Sequence, residues 1–149
     1  MYDPIVPPRH KPKTDDGHFE ILCQSVFQAG FSWKVVRNKW PNFQKAFLHF
    51  NIKKVAAFKT QDVTRLTKDA GIIRNTQKIM AVIENAHIAL KIQKEYGSFK
   101  KFILSLRKLP YEERRKILSD TFSWVGPTGA FHFFWSIGEE VPKWEDRNR

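Results

Sequence analysis

From Thr14 onward, apolar side chains return every third or fourth residue, and no run shows the strict period of two that a half-buried strand requires. That pattern points to an all-α fold. Phe19, Leu22, Cys23, Val26 and Phe27 share one face of a helix expected over about 15–29. Thr14, Asp15 or Asp16 can cap its start, and Gly30 stands where a C′ glycine belongs. Ser32 can cap a helix over 33–40. Pro41 can open the next, where Phe43, Phe47 and Phe50 form a core stripe. Further helical turns are expected over 52–58 and from Thr60 to near Asp69. The longest helix should run from Asn75 to Tyr96 through the middle of the domain, because Ile79, Ile83, Ala86 and Leu90 recur on one face, and Gly97 closes it. Ser98 begins an amphipathic piece carrying Phe99, Phe102, Ile103 and Leu106. Pro110 breaks it, a basic helix follows over 111–122, and an aromatic helix over 131–137 ends the series.

Residues 1–13 place Pro4, Pro7, Pro8 and Pro12 among Arg9, His10, Lys11 and Lys13, a composition that resists helix and ladder alike and reads as an extended basic arm. Residues 14–149 are expected to form one domain, since 149 residues suffice for a single well-cored unit and not for two. A hydrophobic share of 42% excludes wholesale disorder. The net charge of +11 calls for a polyanionic partner, nucleic acid first and an anionic membrane surface second. Cys23 is the single cysteine, so no internal disulfide framework or multi-cysteine metal site can form, and its place on an apolar helix face marks a buried, inert thiol. No apolar run approaches the roughly 18 to 20 residues of a membrane span, and the start lacks a signal-peptide core. A soluble, intracellular, cytoplasmic and nucleoid-associated monomer with no cofactor is expected.

Nucleotide-binding P-loop, nucleophile-elbow, zincin and calcium-loop motifs are all missing. His10, His18, His49, His87 and His132 are scattered without ligand spacing, so no metal is expected and each reads as a surface or packing residue. Three segments remain. Phe27 to Trp33 joins Gln28, small residues and two large aromatics at a helix break; it is either a tight turn with core rings or a wedge at Phe31 beside an aromatic platform at Trp33. Val125 to Gly129 and Ala70 to Asn75 are glycine-bearing connections whose backbone amides, at Gly71, Gly126 and Thr128, could hold phosphates, with Arg74 adding charge. Basic residues dominate 100–116, including Arg114 and Arg115, as a solvated face or a DNA-contacting one.

These residues resemble a known family. The stretch from Asp15 to Trp33, with Phe19-Glu20, Cys23 and Gln28-Ala29-Gly30-Phe31-Ser32-Trp33, is similar to the N-terminal signature of 3-methyladenine DNA glycosylase I, of the helix-hairpin-helix glycosylase superfamily. The similarity continues through Lys54 to Phe58, Asp62-Val63, Asp69 to Asn75, Lys78-Ile79 and Asn85-Ala86, and resumes from Phe122 to Thr128. It implies a compact helical bundle that grips one DNA strand and takes a flipped base into an aromatic pocket. By the same resemblance Trp33 matches a tryptophan that stacks on the base, Gly30-Phe31 the duplex-probing loop, and Gly126 to Thr128 a phosphate-binding hairpin. Ser25 stands where the family has a pocket glutamate, and its neutral hydroxyl cannot supply a charge-assisted contact to a cationic base. The family's zinc clip has no counterpart here, because 1–12 holds no cysteine and the tail beyond Gly138 holds neither Cys nor His. Trp124, Trp135 or Tyr2 are the aromatics available to line the pocket in place of the family's N-terminal ones.

The expected function is therefore hydrolytic removal of a damaged, alkylated purine by a monofunctional DNA glycosylase, with Ser25, Gln28 and Trp33 at the base. Glu139 and Glu140 are the acids nearest the hairpin that could stabilise the sugar cation, or else solvated surface charges. No lysine follows Gly126 in the hairpin, which argues against Schiff-base lyase chemistry. A non-catalytic lesion-binding module and a glycosylase for a deaminated or oxidised purine are the two alternatives.

Overall fold

The computed structural model describes residues 9–148; the start of the basic arm, with Tyr2, Pro4, Pro7 and Pro8, lies outside the described residues. Among the described residues there are eight α-helices and no strand. They are α1 (Asp15–Gln28), α2 (Trp33–Ala46), α3 (Ile52–Ala56), α4 (Thr60–Thr67), α5 (Thr76–Tyr96), α6 (Phe99–Leu106), α7 (Tyr111–Thr121) and α8 (Pro127–Ser136), with short 3-10 turns at Leu48–Phe50 and Trp144–Asp146.

Side-chain caps start four of these helices where the sequence places them. Thr14 accepts from the Gly17 amide, Ser32 from Val35, Asn75 from Lys78 and Ser98 from Lys101. Such a cap is worth about 1 kcal/mol. Two helix starts, those of α6 and α3, are also tied from a distance. Asp15 accepts from the Phe99 amide at 2.9 Å and from Gln93 Nε2 at 2.9 Å, so the first residue of α1 serves the start of α6. Asp16 accepts from the Ile52 amide at 3.0 Å and does the same for α3.

Helix α5 packs against α1, α3, α4 and α6 and forms the axis of the domain, while α1 also packs against α8 and α7 against α8. The core is aromatic: Phe27, Phe43, Phe47 and Phe50 are fully buried, and the Trp40 and Phe50 rings stack at 5.0 Å with 2° between planes. Burying each such ring contributes about 2 to 3 kcal/mol. Cys23 is sealed in this core, and burial pushes its thiol well above the ordinary range.

Two expected boundaries are corrected. No break separates 33–40 from the next helix: Pro41 sits inside α2. The proline removes only one donor, and the Arg37 carbonyl it leaves open belongs to an exposed turn that water can serve. Helix α8 starts at Pro127 rather than 131, with Gly126 as N-cap and proline in the first turn, where its missing amide costs nothing. The expected hairpin loop is thus shorter, and Thr128 and Gly129 are already helical. The described end of the arm is extended and strapped to α8: the His10 amide donates to the Ser136 carbonyl at 2.7 Å, and the Arg9 guanidinium lies 4.5 Å from the Trp135 ring centroid.

Candidate active site

A cleft of about 630 Å³ opens where the end of α1 faces the start of α8. One wall is Ser25 and Gln28 from the last turns of α1, with Ala29, Gly30, Phe31 and Ser32 from the turn into α2. The other is Trp124, Gly126, Pro127, Thr128, Gly129 and His132, and Trp144 of the C-terminal turn joins the lining.

The α1–α2 turn is built by two devices. Gly30 takes a φ of 85°, a left-handed conformation that a side chain would strain, and the Phe31 amide returns to the Gln28 carbonyl at 2.7 Å. Beneath it, buried Lys78 of α5 donates to the Phe27 carbonyl at 3.3 Å and to the Ala29 carbonyl, and its ammonium lies 5.0 Å from the Phe31 ring centroid. Burial pulls the Lys78 pKa below the ordinary lysine value. The result is a Phe31 side chain that is 44% exposed on the lip of the cleft.

The opposite lip is set by Asn85, which is 0% exposed. Its carboxamide donates to the Ser123 carbonyl at 3.0 Å and accepts from the Ser123 amide at 2.7 Å. The next residue, Trp124, has a φ of 63° and is 44% exposed. On the floor, the Ser25 hydroxyl donates to the Leu22 carbonyl at 2.6 Å, so its proton is spent within α1 and its remaining lone pairs make it an acceptor. The tail closes one side: Trp144 stacks on His132 with centroids 5.5 Å apart and 13° between planes, and the Arg147 guanidinium sits 3.8 Å from the Trp144 centroid while its Nε donates to Thr128 Oγ1 at 3.3 Å.

The structure brings Ser25, Gln28, Gly30, Phe31, Gly126 and Thr128 together around this cleft. It treats other expected residues differently. Trp33, expected as the open stacking platform, is 4% exposed and absent from the cleft wall, because Ser32 caps α2 and the ring at its first position turns into the core. Gly71 has its amide bonded to Asp69 Oδ1 at 2.8 Å and its carbonyl to Asn42 at 3.1 Å, so its single donor is not left for a phosphate. Arg74 is exposed in that same loop.

Arg114 is buried, donates to the Glu140 carbonyl at 3.2 Å and lies over Tyr111 and Phe134, which gives it a packing place rather than a solvated one. Arg115 lines a separate depression with Lys116, Ser119 and Pro127, beside the start of α8. Glu139 is no solvated charge: it is 6% exposed and forms a two-pronged ion pair with Arg107 at 2.7 and 2.9 Å, which holds its carboxyl below the usual range. With Glu140 it lines another cavity shared with Arg107 and Arg114. Among the described residues lining the main cleft there is no carboxylate.

His132 and Trp144 were not expected at the cleft, and Lys78 and Asn85, although they stand in motifs shared with the family, carried no expected role there. For His132 the available signal was spacing: it lies one helical turn beyond Gly129 and Thr128, on a face they share. Trp144 carried none, since it reaches the cleft through an irregular tail.

An all-helical domain with a cleft at the junction of two helix ends and a strong positive charge is suited to a polyanionic partner such as DNA. Residues 9–123 match the sequence profile described as methyladenine glycosylase. The chain belongs to the methyladenine glycosylase family. It is 31% identical to the DNA-3-methyladenine glycosylase of Haemophilus influenzae over 86% of this chain and 80% of that protein. Against DNA-3-methyladenine glycosylase 1 of Escherichia coli identity is 42% over 63% of this chain, and that match spans about half (51%) of the relative's length. A solved structure of 3-methyladenine DNA glycosylase I from Staphylococcus aureus superposes with a TM-score of 0.80 at 26% identity, over 93% of this chain and 87% of that one. The matched profile stops at residue 123, one position before the lip formed by Trp124.

Proposed function

We propose that this chain is a monomeric, intracellular, nucleoid-associated excision-repair glycosylase that flips an alkylated purine out of double-stranded DNA and hydrolyses its N-glycosyl bond. The observation that carries the reading is the cleft between the α1–α2 turn and the start of α8, about 630 Å³ in volume and large enough for a purine. Both named relatives are DNA-3-methyladenine glycosylases, which supports an alkylated adenine as the base removed.

Each part has a physical role. Phe31, on its Gly30 turn, enters the stack as the nucleotide leaves it. The first-turn amides of α8 beside Gly126 and Thr128 have no partner within the helix and can hold a phosphate; exposed Arg74 and half-buried Arg115 add charge. Inside the cleft, Ser25 accepts from an amino group of the base and Gln28 offers a carboxamide that can both donate and accept. Extruding a base costs a few kcal/mol, and each base–aromatic stack returns about 1 to 3 kcal/mol.

Bond cleavage asks little of the protein when the base is N-alkylated, since the purine already carries positive charge. The glycosidic electron pair moves onto the purine nitrogen, the base leaves neutral, and water adds to the sugar carbon and loses a proton. Positioning and stacking then supply the rate enhancement.

A panel of oligonucleotides bearing single lesions, incubated with the protein and cleaved with alkali at abasic products, tests this. Release of an N-alkylated purine is expected. Tight binding without release selects a lesion-binding module, and release of a deaminated or oxidised purine selects a site tuned by the neutral Ser25.

A further inference from the structure

We propose that Trp124 is a second aromatic contact to DNA, stacking on a nucleobase left exposed at the lesion when its neighbour swings out, and that Asn85 is the positioning residue that holds it there. The inference rests on the glycosylase reading and adds to it a residue of the hairpin lip.

Three observations converge on Trp124. Its φ of 63° is left-handed, a conformation costly for any residue with a side chain and especially for a bulky one. Its indole is nevertheless 44% exposed, so the strain is not repaid by full burial. A core contact would be expected to relieve strain of this kind, whereas strained residues held by an over-determined frame gather at working sites. That frame is visible: fully buried Asn85 binds both the amide and the carbonyl of Ser123, which fixes the backbone immediately before the indole.

The third observation is place. Trp124 and Phe31 both line the cleft, are equally exposed, and stand on opposite walls, one on the α7–α8 connection and the other on the α1–α2 turn. Phosphates at the start of α8 would bring the duplex against the hairpin lip, and an indole there meets bases rather than backbone charge. A flat apolar ring beside amide donors suits a base with its face uncovered, and stacking of this kind is tolerant of which base it is.

The test uses the full chain and two labelled duplexes, one intact and one carrying an abasic-site analogue, with affinities measured by anisotropy across a salt series. The wild-type protein should prefer the abasic duplex, with its tryptophan fluorescence quenched on binding. Trp124→Ala should lower that preference by roughly 5- to 150-fold, the span of one base–aromatic stack, with the affinity for intact duplex and its salt slope unchanged. Trp124→Phe should keep the preference and lose part of the quench. Asn85→Ala should lower the same preference, and the double variant should be no worse than Trp124→Ala alone, a coupling that a general loss of packing would not produce.

A Trp124→Ala protein that keeps the wild-type preference overturns the proposal, as does equal loss on both duplexes. Wild-type protein that binds neither duplex overturns the glycosylase reading as well, so the two failures are distinguishable.

Discussion

Replacing Lys78 with methionine removes the ammonium that ties the end of α1 to the α1–α2 turn while keeping most of its aliphatic stem. Two carbonyls lose a charged donor, and a hydrogen bond to a charged group contributes about 1.5 to 3 kcal/mol. The two do not weigh equally. Ala29 is exposed, so water can take the place of the ammonium there, whereas the Phe27 carbonyl lies on a buried residue. Methionine also escapes the desolvation that pulls the Lys78 pKa down, which returns part of the loss. The net cost is about 2 kcal/mol, roughly a 30-fold shift in the folded-to-unfolded ratio, read as a lower urea midpoint at unchanged m-value. A loosened turn should also blunt the preference for a lesion. Because Lys78 is buried, the salt dependence of binding to intact duplex should stay as in the wild type. A salt slope reduced by about one charge, with stability unaltered, would show that Lys78 grips a phosphate instead and refute this account.

Two further predictions concern residues outside the cleft wall. Arg107→Ala leaves the Glu139 carboxylate without its ion pair and should cost about 2 kcal/mol near neutral pH. Because the folded Glu139 pKa is depressed, the stability it confers is present above the unfolded carboxyl pKa and fades as pH falls through the folded one; the gap between variant and wild-type unfolding midpoints should close with acidification. Trp33→Ala should destabilise by about 3 to 5 kcal/mol in chemical denaturation, as expected for a buried indole; a variant of wild-type stability would mean that the ring is not part of the core.

Helix starts were legible because a cap is a local event: Thr14, Ser32, Asn75 and Ser98 each announce a helix within three residues of themselves, and each does so in the structure. Gly30 and Gly97 marked helix ends for the same reason, through backbone conformations that favour glycine. Local rules also misled. Proline reads as punctuation, yet Pro41 continues α2 because its lost bond falls on a solvent-facing turn. The residues that line the cleft and those that tie the fold together divide along the same line. Gly30, Phe31 and Gly126 sit in turns and could be picked out, whereas the ties made by Lys78, Asn85 and Arg107 join positions 32 to 51 residues apart and leave no periodicity in the sequence. The burial of Trp33 follows from the rotation of α2 about its axis, which packing against the rest of the domain decides.

The aspartates at the head of α1 have a bearing on how this molecule can be assembled. Asp15 finds its partners at Gln93 and Phe99, and Asp16 at Ile52, so the first helix is locked by residues synthesised well after it. A nascent chain that has emerged only as far as α4 holds the groups that Asp16 needs and lacks those that satisfy Asp15. Completion of the bundle therefore waits on translation past position 99, and cutting the polypeptide after α5 would separate the opening helix from the amide at Phe99.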